Sequence, residues 1–170
     1  MRVEQFPAAL VGVGDAGYLD TERFDVGDAW DRSWFVMLPP FDDVGNLPPG
    51  IHRCSAAELA ARFGSGTDER ETEIQELLQF MDAARAVGVR RLMVNGSFTT
   101  GKLAPNDVDV VILPGPDYPR QGQPLDADEA VWPFLQVIVA ADDADFEAWG
   151  TYQFATDRRR RPKGVVEVML

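Results

Sequence analysis

The sequence predicts an α/β or α+β domain, a sheet with helices on one side. Three observations lead there. One long segment carries apolar residues at three-and-four spacing, several short runs are β-branched and apolar, and connectors dense in proline and glycine separate them.

The elements follow in order. Residues 1–37 hold glycines, scattered aromatics and short apolar runs such as AALVGVG, and read as an irregular or hairpin-like N-terminal extension. Trp30, Trp34 and Phe35 are expected to anchor it by packing. The main domain is expected over 38–170. LPPFDDVGNLPPGIH, Leu38 to His52, has two Pro-Pro pairs and two glycines and reads as loop or turn. Ser55 is the expected N-cap of a short helix AAELAARF, with Glu58 completing a capping box. From about Asp68 to Val87, Ile74, Leu77, Leu78, Met81, Ala84 and Val87 mark an amphipathic helix that Gly88 stops. Arg91–Asn95 is a short strand, VDVVIL a buried one, and Phe134–Ala141 a third. A last helix begins at Asp143, and GVVEVML is a final alternating strand.

Composition narrows the function. A chain of 170 residues, 45% hydrophobic, can bury one sizeable core, and no apolar run is long enough for a bilayer. The N-terminus lacks a basic region followed by a sustained apolar core, so a cytoplasmic location and no membrane partner are expected. One cysteine, Cys54, excludes an intramolecular disulfide, and one histidine, His52, excludes a histidine metal cluster. Net charge is −12, which argues against broad binding to duplex nucleic acid. The local exception is Arg158–Lys163, a basic cluster that reads as solvated surface or as a patch for a phosphate, RNA or an acidic partner. Cys54 near His52 lacks a third group and reads as a packed thiol rather than a nucleophile. GVGDAG, Gly12 to Gly17, lacks the spacing of a dinucleotide loop and reads as a turn.

The chemistry concentrates in GSFTTGKLAPNDVDVVIL, Gly96 to Leu113. Asp107 and Asp109 are spaced Asp-x-Asp at the start of a strand, so both carboxylates face one side. Two carboxylates on a buried strand need positive compensation, and oxygen-only ligands suit Mg²⁺ or Mn²⁺. Gly96 lets the backbone approach a phosphate, and Ser97 can donate to its oxygen. Thr99, Thr100 and Lys102 are close enough to assist, Lys102 as a point charge. The competing readings are turn bonding for Ser97 and Thr99 and an exposed loop for Lys102.

Strand, Gly-Ser, a linker of about ten residues, then Asp-x-Asp is similar to the signature of the DNA polymerase beta-like (minimal) nucleotidyltransferase superfamily. With LPPGIH before it and KGVV after it, the order resembles a small, functionally uncharacterised bacterial family built on that core, over roughly residues 38–170. The resemblance implies a nucleotidyltransferase-like mixed sheet with helices packed mainly on one side. It implies that Gly96, Ser97, Thr99 and Lys102 bind a nucleoside triphosphate, and that Asp107 and Asp109 are catalytic and hold the metal. It also implies a toxin–antitoxin or defence setting, with a toxin or other protein, or transfer RNA, as acceptor. By the same block, Lys163 would face the cleft.

One position departs from that pattern. Active relatives carry a third carboxylate on the following strand, where this chain has Gln136. Glutamine is no general base and a weaker Mg²⁺ ligand. Asp126, Asp128, Asp142 and Asp143 are the substitutes in reach, each otherwise a loop or helix N-terminal residue. Two functions stay open. One is transfer of a nucleoside monophosphate to a protein, RNA or small-molecule hydroxyl. The other is a catalytically reduced fold that binds a nucleotide or a protein without turnover.

Overall fold

The computed structural model of the chain describes residues 38–106, 108–119, 125 and 131–170. The N-terminal extension with Trp30, Trp34, Phe35 and GVGDAG lies outside the described residues, as do Asp107, Asp126 and Asp128.

A five-stranded mixed sheet organises the domain, in the order β1-β5-β2-β3-β4. The strands are β1 (Gly50–Ser55), β2 (Val89–Gly96), β3 (Val108–Pro114), β4 (Leu135–Val139) and β5 (Gly164–Met169). β5 runs parallel to β1 and antiparallel to β2, and β3 runs antiparallel to β2 and parallel to β4. The architecture is α+β, as expected.

Side-chain alternation along the strands creates two cores. Leu92 and Val94 on β2, Val108, Val110 and Ile112 on β3, and Val166 and Val168 on β5 face one side. There they meet α1 (Ala56–Phe63) and α2 (Asp68–Ala86) through Leu59, Phe63, Ile74, Leu77, Phe80 and Met81. The opposite face is smaller. Met93, Val111, Leu113 and Val165 pack there against Phe146 of α3 (Asp143–Ala148) and Trp149 of the π-helical turn that continues it. Among the described residues, α1 and α2 thus cover one face and the short α3 packs on the other.

Local signals place the helix ends. The Ser55 side chain accepts from the Glu58 backbone N–H while the Glu58 carboxylate accepts from the Ser55 backbone and hydroxyl. Thr67 caps α2, whose Val87 cap is followed by Gly88. The strand β1 corrects the sequence reading, which left Gly50–His52 in a loop. GIHRCS shows little periodicity alone; its partner β5, 114 residues further on, makes it an edge strand, with Ile51 opposite Val165 and Cys54 opposite Val168. Cys54 is fully buried, and that burial pushes its thiol up to about 12, the pKa of a packed side chain rather than a nucleophile.

Candidate functional site

Antiparallel pairing sets Asn95 of β2 opposite Asp109 of β3, and parallel pairing sets Gln136 of β4 beside Asp109. Directly opposed residues share a face, so Asn95, Asp109 and Gln136 form one rung across three strands. That rung lies on the face against which α3 packs. Asp109 is half-buried, Gln136 exposed, and Asn95 3% exposed.

At the end of β2, Gly96 adopts φ 82°, a left-handed conformation that turns the chain out of the sheet. The turn after it closes on itself. Thr100 donates to Ser97 O through both its backbone N–H (3.3 Å) and its hydroxyl (2.7 Å). Ser97 Oγ accepts from Asn106 N at 3.0 Å, so it also orders the approach to the Asp-x-Asp strand. Lys102 Nζ donates to Asn106 Oδ1 at 3.0 Å.

A residue from α2 holds this turn in place. Arg70 is 6% exposed, and its guanidinium donates to Phe63 O (2.9 Å), Phe98 O (3.1 Å), Thr100 O (2.7 Å) and Lys102 O. Four carbonyls that would otherwise be buried or exposed singly are gathered by one planar fork of donors. Burial lowers the Arg70 pKa from its ordinary value, with Glu73 pulling the other way.

The other side of the site is the segment leading into β5. Lys163, 7% exposed, donates from Nζ to Gly96 O at 3.2 Å. Before it, Asp157 organises the basic cluster. Its Oδ1 accepts from the backbone of Arg159 (2.8 Å) and Arg161 (2.9 Å), and its Oδ2 pairs with the Arg161 guanidinium at 2.6 Å. Those donors, the Arg161 backbone first, hold the Asp157 carboxyl well below the usual carboxylate range.

The proline-rich loop 38–49 ties the two sides together. Gly45 O accepts from Gly101 N (2.8 Å), Asn46 Nδ2 reaches Asp157 Oδ2 (3.4 Å), and Leu47 O accepts from Gly164 N (2.9 Å). Contact at Gly164 is close enough that a Cβ there would lie 2.2 Å from Pro48 O.

Between the sides lies a cleft of about 460 Å³. Asn95, Gly96, Ser97, Thr100, Lys102 and Asp109 line it from one side. Phe154, Arg158, Arg159, Arg161 and Lys163 line it from the other. Gly96, Ser97, Lys102 and Asp109 are thus brought together. Thr99 is not with them: it is 1% exposed, its hydroxyl has no hydrogen-bond partner among the described residues, and Thr100 lines the cleft instead. Asp142 and Asp143 are committed elsewhere. Asp142 caps α3 through Asp145 N (2.8 Å), and Asp143 pairs with Arg90 (2.6 Å).

Sequence reasoning missed Arg70, Asn95 and Asp157. An arginine in the acidic first turns of α2 gives no sign of what it reaches. Aspartate directly before four arginines is a turn signal that could have been read.

The donor chemistry of the rung suits a hard divalent cation. It offers the Asp109 carboxylate, and beside it Asn95 Oδ1, a buried oxygen with no hydrogen-bond partner among the described residues. No group of three or more His, Cys, Asp or Glu side chains forms a ready metal cluster among the described residues. None of their helices is long and apolar enough to cross a membrane.

No curated protein and no solved structure matches the chain. One family model does, over residues 39–169, from the proline-rich loop through β5 and so across every residue of the cleft. The chain therefore belongs to the family of unknown function DUF6932.

Proposed function

We propose that this protein is a metal-dependent nucleotidyltransferase, moving a nucleoside monophosphate from a nucleoside triphosphate to an acceptor hydroxyl. One observation carries the reading: the Gly96–Ser97 turn, the half-buried Asp109 and the Lys102 and Lys163 ammonium groups share one cleft. A carboxylate beside a glycine turn and two cations matches what a metal-complexed triphosphate needs.

In the reaction, the acceptor oxygen bonds to the α-phosphorus as the bond to pyrophosphate breaks. Mg²⁺ or Mn²⁺ held by Asp107 and Asp109 would polarise the α-phosphate and neutralise the leaving pyrophosphate. The Gly96 turn brings the chain close to the phosphates, the Ser97 hydroxyl orients them, and Lys102 and Lys163 offset their charge. The acceptor's proton leaves to solvent, because Gln136 stands beside Asp109 and its amide takes no proton at neutral pH. In a toxin–antitoxin or defence setting, the acceptor would be a partner protein or an RNA.

The same Gln136 supports a second reading, a reduced fold that binds nucleotide without turnover. Labelled nucleoside triphosphates with Mg²⁺ or Mn²⁺ and candidate acceptors separate the two. Transfer by the wild type that falls about 100-fold or more in Asp109→Asn supports the enzyme. Nucleotide binding without transfer, with activity appearing in Gln136→Asp, supports the reduced fold. Absence of nucleotide binding would overturn both.

A further inference from the structure

We propose that the Asp157-held arginine turn is a second phosphate site, shaped for the terminus of a single-stranded nucleic acid whose hydroxyl is the acceptor. The inference names the acceptor class for the cleft and rests on the transferase reading above.

The turn is built, and not merely basic. An isolated bridge pairs Thr156 with Pro162, Asp157 N donates to Arg161 O (2.9 Å), and Arg160 N donates to Asp157 O (2.8 Å). Arg160 sits at φ 61°, a left-handed conformation unfavourable for a residue with a Cβ. The Asp157 carboxylate holds that turn through Arg159 and Arg161 as described, and Asn46 holds Asp157 from the loop 38–49. The product of this ordering is that Arg158, Arg159 and Arg161 all line the cleft that contains Ser97 and Asp109.

Charge shows what is left for a ligand. Lys102 and Lys163 lie against the Gly96–Asn106 turn, and Arg161 is committed to Asp157. Arg158 and Arg159 have exposed side chains with no ion pair or hydrogen bond among the described residues. In a chain of net charge −12, two unmatched arginines held in the cleft that contains Asp109 favour a second anionic ligand over a general polyanion surface.

Aromatic neighbours favour unpaired bases. Phe154 lines the cleft together with Arg158 and Arg159, its ring 5.2 Å from that of Trp149. Arginines and an aromatic ring lining one cleft bind single strands by pairing with phosphates and stacking on a base. An acidic protein segment would use the arginines and leave Phe154 without a role. A duplex would present no unpaired base to Phe154.

The test uses a fluorescently labelled single-stranded oligonucleotide of about twelve residues, RNA and DNA in separate arms, and the full chain in about 50 mM salt. Binding is read by anisotropy in the absence of nucleoside triphosphate. The expected result is binding by the wild type that weakens at least about tenfold in Arg158→Gln/Arg159→Gln, with the salt slope falling by about 1.4 for two lost phosphate contacts. Phe154→Leu, which keeps an apolar contact to Trp149, is expected to weaken it about fivefold or more, and Asp157→Ala to weaken it although no cation is removed. RNA binding tighter than DNA would assign a 2′-hydroxyl contact to the same site; equal binding would assign phosphates and bases alone. Three outcomes overturn the proposal: no oligonucleotide binding by the wild type, equal binding by the double variant, or equal binding of an acidic peptide. Loss of triphosphate binding in the double variant with oligonucleotide binding intact would also overturn it, assigning the arginines to the donor. Oligonucleotide binding that survives in a protein unable to transfer nucleotides would leave this site standing while the transferase reading falls.

Discussion

The two sides of the cleft are built by opposite means. The Gly96–Lys102 turn is held from a distance, by Arg70 on α2, whose guanidinium gathers carbonyls up to 32 residues away. The arginine turn is held from within, by Asp157, whose carboxylate reaches residues two and four positions on. The first is tied to the main core through buried Phe98 and Thr99; the second is exposed at Arg158–Arg160 and tied through its own carboxylate. A rigid side bearing Asp109 and Ser97 thus faces one whose electrostatics one local carboxylate controls.

That contrast predicts a graded series. Arg70→Met should have the largest effect, about 2–4 kcal/mol of stability in urea unfolding, because it leaves four carbonyls without their charged donor. A loss under about 1 kcal/mol would mean that the turn holds itself, and the contrast would fail. Gly164→Ala comes next, at about 1–3 kcal/mol, since a Cβ 2.2 Å from Pro48 O must displace backbone. Its Tm should fall while α1 and α2 keep their helical signal.

Glu167 on β5 gives a smaller, pH-dependent effect. It is 7% exposed and pairs with Arg91 (2.6 Å) and Arg53 (3.1 Å). Burial raises its pKa, but the two arginine pairs outweigh burial and leave it below its ordinary 4.5. Its contribution is therefore complete above pH 4.5 and is lost as pH falls through the lower folded value. Glu167→Gln should cost about 1 kcal/mol at pH 7 and progressively less as pH falls below 4.5, which denaturation across that range would read. A cost that stays constant as acid is added would assign the loss to packing rather than charge.

Asp157→Ala should have the smallest effect on stability and a clear local one. Trypsin should cut among Arg158–Arg161 faster, while the Tm stays near that of the wild type. If instead its Tm falls as far as that of Arg70→Met, both sides share one cooperative unit.

Much of the fold was legible because its signals are local. The Ser55 capping box, the spacing of Ile74, Leu77 and Met81 in α2, and the β-branched run of β3 each depend on residues within one or two turns. β1 was missed because GIHRCS becomes a strand only through β5, beyond any local window. The site divides the same way. Gly96, Ser97, Lys102 and Asp109 were legible as a motif, because adjacent strand, turn and strand bring them together. Thr99 and Thr100 could not be told apart, since the direction of the turn depends on Arg70.

The sequence alone determined the order of the elements from α1 onward, the Gly-Ser turn beside an acidic strand, and a glutamine where a third acid was expected. Only the tertiary structure decided that Asn95, Asp109 and Gln136 form one rung, and that the basic cluster lines the same cleft rather than open surface. The reason is physical. Helix caps and side-chain periodicity are short-range properties of a chain. Strand pairing and the meeting of the Gly96 and Asp157 turns come from burying two cores at once, which no segment does alone.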